Sequence, residues 1–179
     1  MNKYYSYRKK SKLIEYVQSI SKISKGEIKE YHEWFLRNSQ IYIKIDKVES
    51  KKLSKKSIIK ECFNNCFKLA YGHNLEYIEG YTMSIIPIEH AFLINNNNEV
   101  VDPTLAIDTD LSKDRYGSEY MGIKIPNNIL LEIRADTKKY DLYLPTLYHY
   151  FKIVKGENIT AFNESTKIYK QCSRREVRK

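Results

Sequence analysis

Glycine and proline are scarce, six and four in 179 residues, and no two glycines are adjacent. That excludes a phosphate-cradling glycine loop and a collagen-like or linker-rich chain. Cysteine is scarcer still: Cys62, Cys66 and Cys172 are too few and too oddly numbered for a disulfide framework. No Cys-x-x-Cys pair occurs, and Cys62, Cys66, His73 and His90 fit no familiar zinc spacing, so neither metal nor cofactor is expected. No stretch approaches the ~20 apolar residues of a membrane span. Met1 to Lys10 lacks the apolar run of a signal peptide. The expected setting is cytoplasmic and reducing, without a membrane partner, where a thiol stays free to react.

What is present suits one globular domain. Hydrophobic residues make up 42% and charged residues 30%, which is too apolar for disorder. The net charge is +9, which would suit a nucleic acid or another acidic partner. The lysines are scattered, however, and Lys, Asn, Ile and Tyr are raised together, as AT-rich coding would produce. Trp34 and the 16 tyrosines accordingly read as packing rather than a base-stacking platform.

Apolar spacing of three and four predicts helices over residues 11–24 and 27–38. Ile41 to Ile45 predicts a short strand, and the lysine-rich stretch 46–56 a surface loop with at most a helical turn. Ile58, Ile59, Cys62, Phe63, Cys66, Phe67 and Ala70 predict a helix within 57–71, stopped by Gly72. Two or three strands follow over 75–94. Asn95 to Asn98 form a turn, because asparagine tolerates left-handed backbone angles, and Glu99 to Asp102 return as the second arm of a hairpin. Residues 105–118 read as a loop and 120–125 as a strand. Helices follow over 127–133 and 147–154, with more helix to 170 and a basic tail over 171–179. Helices, then a nucleophile-bearing helix, then an antiparallel sheet with flanking helices make an α+β arrangement. The boundaries expected are 1–56 for an N-terminal helical region, 57–170 for the core and 171–179 for the tail.

Thiol catalysis needs a sulfur held as thiolate, a base that takes and returns a proton, and a third group that fixes the imidazole tautomer. Cys62 sits in a helical stretch, and a helix starting near Glu61 would place it among first-turn amides that favour negative charge. His90 lies on the outgoing arm of the hairpin and Asp102 on the returning one. They oppose each other directly only across an odd-numbered loop, for instance Asn95 to Asn97; a two- or four-residue loop turns Asp102 to the other face. A three-residue loop, or a bulge, is therefore expected. Cys66, one turn from Cys62 among Phe63 and Phe67, reads as core.

These residues resemble a known group. Cys62-Phe63-Asn64-Asn65-Cys66, Glu79-Gly80, His90-Ala91-Phe92, Asp102-Pro103-Thr104 and Tyr120-Met121-Gly122 together look like the transglutaminase-like, papain-like cysteine hydrolases of bacteria and their phages. The resemblance covers about residues 60–126, with Phe92, Met121 and Cys66 departing from the usual residues. It implies a papain/transglutaminase-like fold with Cys62 as nucleophile, His90 as general acid and base, and Asp102 as orienting group. The oxyanion would be held by the Cys62 amide and one side-chain donor. Asn65, one turn along the same helix, is a candidate for that donor beside Asn38 and Gln40 upstream, and Glu79 is a candidate substrate contact. The implied activity is hydrolysis of an amide or ester bond in a protein, peptide or small amide through an acyl-thioester. The alternatives are transglutaminase-like acyl transfer, and a catalytically inactive basic binding or inhibitor protein of a phage or mobile element.

Overall fold

The computed structural model describes residues 11–107, 118–136 and 146–156. The expected helix to 170, the basic tail, Cys172 and most of the 105–118 loop lie outside these. The chain divides into two compact units between Asn127 and Asn128. Among the described residues no helix is long and apolar enough to cross a membrane.

Among the described residues, α1 (Lys12–Ile23) and α2 (Gly26–Asn38) come first in this unit. Ser11 caps α1, its hydroxyl accepting the Ile14 amide at 3.1 Å. Leu13 and Val17 of α1 and Tyr31 and Phe35 of α2 are buried, the four-residue spacing of a single helix face. Strand β1 (Gln40–Tyr42) follows. The lysine-rich stretch expected to be a loop is a helix, α3 (Lys47–Ser54). Asp46 caps it by accepting the Glu49 amide at 2.9 Å, and Ser50 and Leu53 turn inward, fully or almost fully buried. Two inward residues three apart suffice once a tertiary surface is there to receive them, and a run of lysines masks so narrow a face.

Helix α4 (Cys62–His73) starts five residues later than Ser57 and outruns Gly72; it ends at Asn74, whose φ of 53° makes the left-handed cap. Strands β2 (Glu76–Met83), β3 (Pro87–Ile94), β4 (Val100–Val101) and β5 (Glu119–Lys124) complete a five-stranded sheet in the order β1-β5-β2-β3-β4, every neighbour antiparallel. The expected N-terminal region is thus part of the sheet, through β1. The second unit holds most of α5 (Asn127–Asp136) and all of α6 (Thr146–Val154), in which Leu147 and Phe151 are buried.

The sheet must curl. Tyr42 ends β1 at one edge, and Ile45, three residues on, bridges Val100 at the opposite edge. Three residues span about 10 Å at most, so the two edges are drawn together. The residues on the enclosed side follow from the register: Ile78 opposite Phe92, Gly80 opposite both His90 and Gly122, Thr82 opposite Tyr120, Ile94 opposite Val100. Tyr42, Ile78, Phe92, Ile94, Val100 and Tyr120 form its apolar core. The other side meets α1 and α2, where Tyr81 packs edge-on against Tyr16 and Phe35 at ring separations of 5.6 and 5.3 Å.

Two glycines make the curl feasible. A Cβ on Gly80 would fall onto the Met121 carbonyl oxygen, and one on Gly122 would come within 2.6 Å of Ile78 Cγ2 and 2.7 Å of the Glu79 carbonyl oxygen. Gly80→Ala is expected to part β2 from β5 and cost about 2–3 kcal/mol, read as a lower midpoint in urea unfolding; an unchanged midpoint would show that the strands can yield.

Candidate active site

The loop between β3 and β4 holds five residues, Asn95 to Glu99. Asn95 organises it: its side-chain oxygen accepts the amides of Asn97 and Glu99, both at 3.0 Å, and Asn98 takes a φ of 60°. The odd number keeps His90 and Asp102 on one face, but they do not oppose each other directly. Leu93 pairs with Val101 and Ile94 with Val100, so continuing the count puts Asp102 opposite Phe92, two residues along from His90. A diagonal of that kind lies within reach of a ring, and His90 Nε2 meets Asp102 Oδ2 at 2.7 Å.

Asp102 is fully buried and firmly held. Its Oδ1 accepts the amides of Thr104 and Leu105 at 3.1 and 3.0 Å, the Asx turn that an aspartate before Pro103 favours. Its Oδ2 accepts the Tyr120 hydroxyl at 3.0 Å as well as the His90 ring. Its own amide donates to Ser50 Oγ at 2.9 Å, and the Ser50 hydroxyl donates to the Asp46 carbonyl at 2.6 Å. The unexpected helix α3 thereby anchors the backbone at Asp102. A buried carboxylate surrounded by donors is solvated by the protein in place of water.

Cys62 opens α4, buried at 8% exposure, and its side chain is close enough to His90 to contribute to the raised pKa of that ring. With Nε2 taken by Asp102, Nδ1 is the ring nitrogen left for the sulfur. The imidazole is 3% exposed. Burial alone would lower its pKa, but the Asp102 charge and hydrogen bond, followed by the contact with Cys62, raise it from 6.5 to about 10. Near neutral pH the ring therefore carries its proton.

Cys66, one turn further along α4, is a different thiol. It is completely buried and donates to the Ala91 carbonyl at 3.2 Å. Burial first, then the nearby Asp102, Cys62 and Glu79, push its pKa well above the ordinary value. It stays protonated and shielded.

Asn65 and Glu79 are both buried and hydrogen-bonded within the fold. Asn65 is 4% exposed, and its amide nitrogen donates to the Ile58 carbonyl at 2.7 Å and to Thr104 Oγ1 at 2.9 Å, while its oxygen accepts the Ile58 amide at 3.0 Å. Both of its N–H groups are spent tying the segment before Cys62 to the turn after Asp102. Glu79 is wholly buried, accepts the Tyr77 hydroxyl, and alternates to the sheet face opposite His90. Tyr120, Ser50 and Thr104 join the network without having been assigned a role from the sequence. Tyr120 stood in a recognisable strand motif, whereas nothing around Ser50 marked it.

No protein-family model, curated protein or solved structure matches the chain. What the fold and the site define is a mixed α+β protein carrying a buried cysteine–histidine–aspartate constellation.

Proposed function

We propose that the chain is a thiol-dependent hydrolase of an amide or ester bond, built on a papain/transglutaminase-like domain. One observation carries this reading: a single imidazole joins the Cys62 thiol on one side to the fully buried Asp102 carboxylate on the other. Core cysteines and structural histidines are common singly; set in series with an immobilised carboxylate they make a nucleophile, a proton carrier and an orienting group.

In the proposed cycle the proton shared by Cys62 and His90 rests on the imidazole. The sulfur attacks the substrate carbonyl carbon, and the carbonyl electron pair moves onto oxygen. The Cys62 backbone amide at the start of α4 stabilises that oxyanion; Asn65 supplies no donor, its amide hydrogens being engaged. As the intermediate collapses, the carbon–nitrogen or carbon–oxygen bond breaks and His90 protonates the departing amine or alcohol. Neutral His90 then removes a proton from water, which attacks the thioester. The carbon–sulfur bond breaks, the acid leaves, and the proton is back on His90. An amine in place of water would give acyl transfer from the same intermediate.

Carbamidomethylation by iodoacetamide near neutral pH, mapped by mass spectrometry, tests the reading. Cys62 is expected to react at least about 100-fold faster than Cys66, because the latter must wait for local opening of the fold. Equally slow labelling of the two would sink the proposal.

A further inference from the structure

We propose that Tyr120 is a positioning residue that sets how tightly His90 holds its proton, through the Asp102 oxygen the two share. The role of this proton in catalysis rests on the thiol-hydrolase reading; the coupling itself rests on geometry alone.

The Tyr120 hydroxyl donates to Asp102 Oδ2 at 3.0 Å, and His90 Nε2 meets the same atom at 2.7 Å. The two donors come from different strands: Tyr120 from β5 and His90 from β3. Tyr120 needs no hydroxyl to fill its place in the core. Its ring packs edge-on against Phe92 at 5.0 Å, and phenylalanine would fill the same volume. Nor does Asp102 need the hydroxyl for placement, since the Thr104 and Leu105 amides hold Oδ1 and Ser50 receives the backbone amide. What the hydroxyl supplies is a second donor on the oxygen that faces the ring.

The sign of the effect follows from electrostatics. A donor on Oδ2 draws off part of the carboxylate charge that attracts the imidazolium. Removing it leaves a fully buried oxygen with one partner fewer, and the carboxylate then depends more on the cation beside it. His90 would hold its proton more tightly. Besides Asp102, the titratable group that acts on this ring is Cys62 on α4. Neighbouring β2 contributes Gly80 opposite His90, which carries no charge. Tyr120 is thus the neutral group placed to temper the pair.

That tempering has a chemical use. His90 must give its proton to a leaving group, and an imidazolium gripped too tightly is a poor acid; efficient proton transfer wants a pKa near the working pH. The hydroxyl on the shared oxygen brings His90 back toward that range while leaving the carboxylate in position.

The test is a titration of the His90 ring by nuclear magnetic resonance in the full chain. In Tyr120→Phe the midpoint is expected to rise by about half to one pH unit, the size of one neutral hydrogen bond felt at a buried charge. In an Asp102→Asn background the same substitution should move the midpoint by much less, because the charge through which it acts is gone. An unmoved or lowered midpoint in Tyr120→Phe, or an equal shift in both backgrounds, would overturn the coupling. Should Tyr120→Phe fail to fold, the unaltered protein decides: the Tyr120 Cζ resonance should move with the His90 midpoint, and a flat resonance would refute the role. Iodoacetamide labelling of Cys62 is read on the same samples. Fast labelling with no His90 shift rejects Tyr120 alone, and a His90 shift with slow labelling rejects the hydrolase alone.

Discussion

Asp102→Asn is expected to slow iodoacetamide modification of Cys62 near neutral pH by about a thousandfold while leaving the helical circular dichroism close to that of the unaltered protein. The new amide oxygen has every reason to stay where the Thr104 and Leu105 N–H groups point, at the Oδ1 position. Its NH2 group then faces His90 Nε2 and the Tyr120 hydroxyl, where Oδ2 had been. A donor aimed at Nε2 makes that nitrogen an acceptor and moves the ring proton to Nδ1, the nitrogen that should receive the proton of Cys62. Loss of the carboxylate also removes the charge that keeps the imidazole protonated inside the fold. Wrong tautomer and missing charge act together, so the loss should far exceed that of one hydrogen bond. The measurement is the second-order alkylation constant at Cys62, and a constant within a few-fold of the original would show that Asp102 does not govern this sulfur.

The second large effect concerns stability at alkaline pH. His90 titrates at about 10 in the folded chain against an ordinary 6.5, so the native state binds a proton that the unfolded chain releases. A raised value of this kind stabilises fully below the unfolded value and loses its contribution as pH climbs through the folded one. Between about pH 6.5 and 10 the unfolding free energy should therefore fall, with a slope of up to ~1.4 kcal/mol per pH unit from this group. His90→Gln carries no titrating ring, so its stability measured by urea unfolding should be nearly flat over that window once other groups are subtracted as a common background. Parallel curves for the two proteins would mean that His90 is not held as a cation. The same substitution also separates charge from packing, since glutamine retains a donor for Asp102 Oδ2.

Much of the architecture was legible. The alternation of Leu13 and Val17, and of Tyr31 and Phe35, marks helices because a helix face recurs every three to four residues in any setting. The hairpin was legible from its asparagines, and the parity of its loop from the demand that His90 and Asp102 share a face. The length of that loop was not. Five residues and three satisfy the same parity, and the choice falls to Asn95, whose side chain gathers the amides of Asn97 and Glu99. Helix α3 stayed hidden for a related reason: Ser50 and Leu53 show an inward face only when a sheet edge and the backbone of Asp102 lie beneath them. Asn65 and Glu79 are the instructive cases. Each is polar and close in sequence to a reactive or turning position, which suggests contact with substrate, yet each is buried and occupied by partners within the fold. Sequence distance reports proximity along the chain, and the direction of a side chain depends on the helix phase and strand register.

The amino-acid order by itself settled which residue types recur where, and with that the mixed helix-and-strand character and the hairpin that carries His90 and Asp102, since periodicity and turn chemistry act over a few residues. Only the folded chain decided that a thiol at position 62 meets that hairpin, that Tyr120 and Ser50 steady the carboxylate, and that Cys66 is sealed away. Those outcomes depend on distances between segments dozens of residues apart. A curled sheet with glycines at its tightest approach sets them, and no local pattern encodes such a distance.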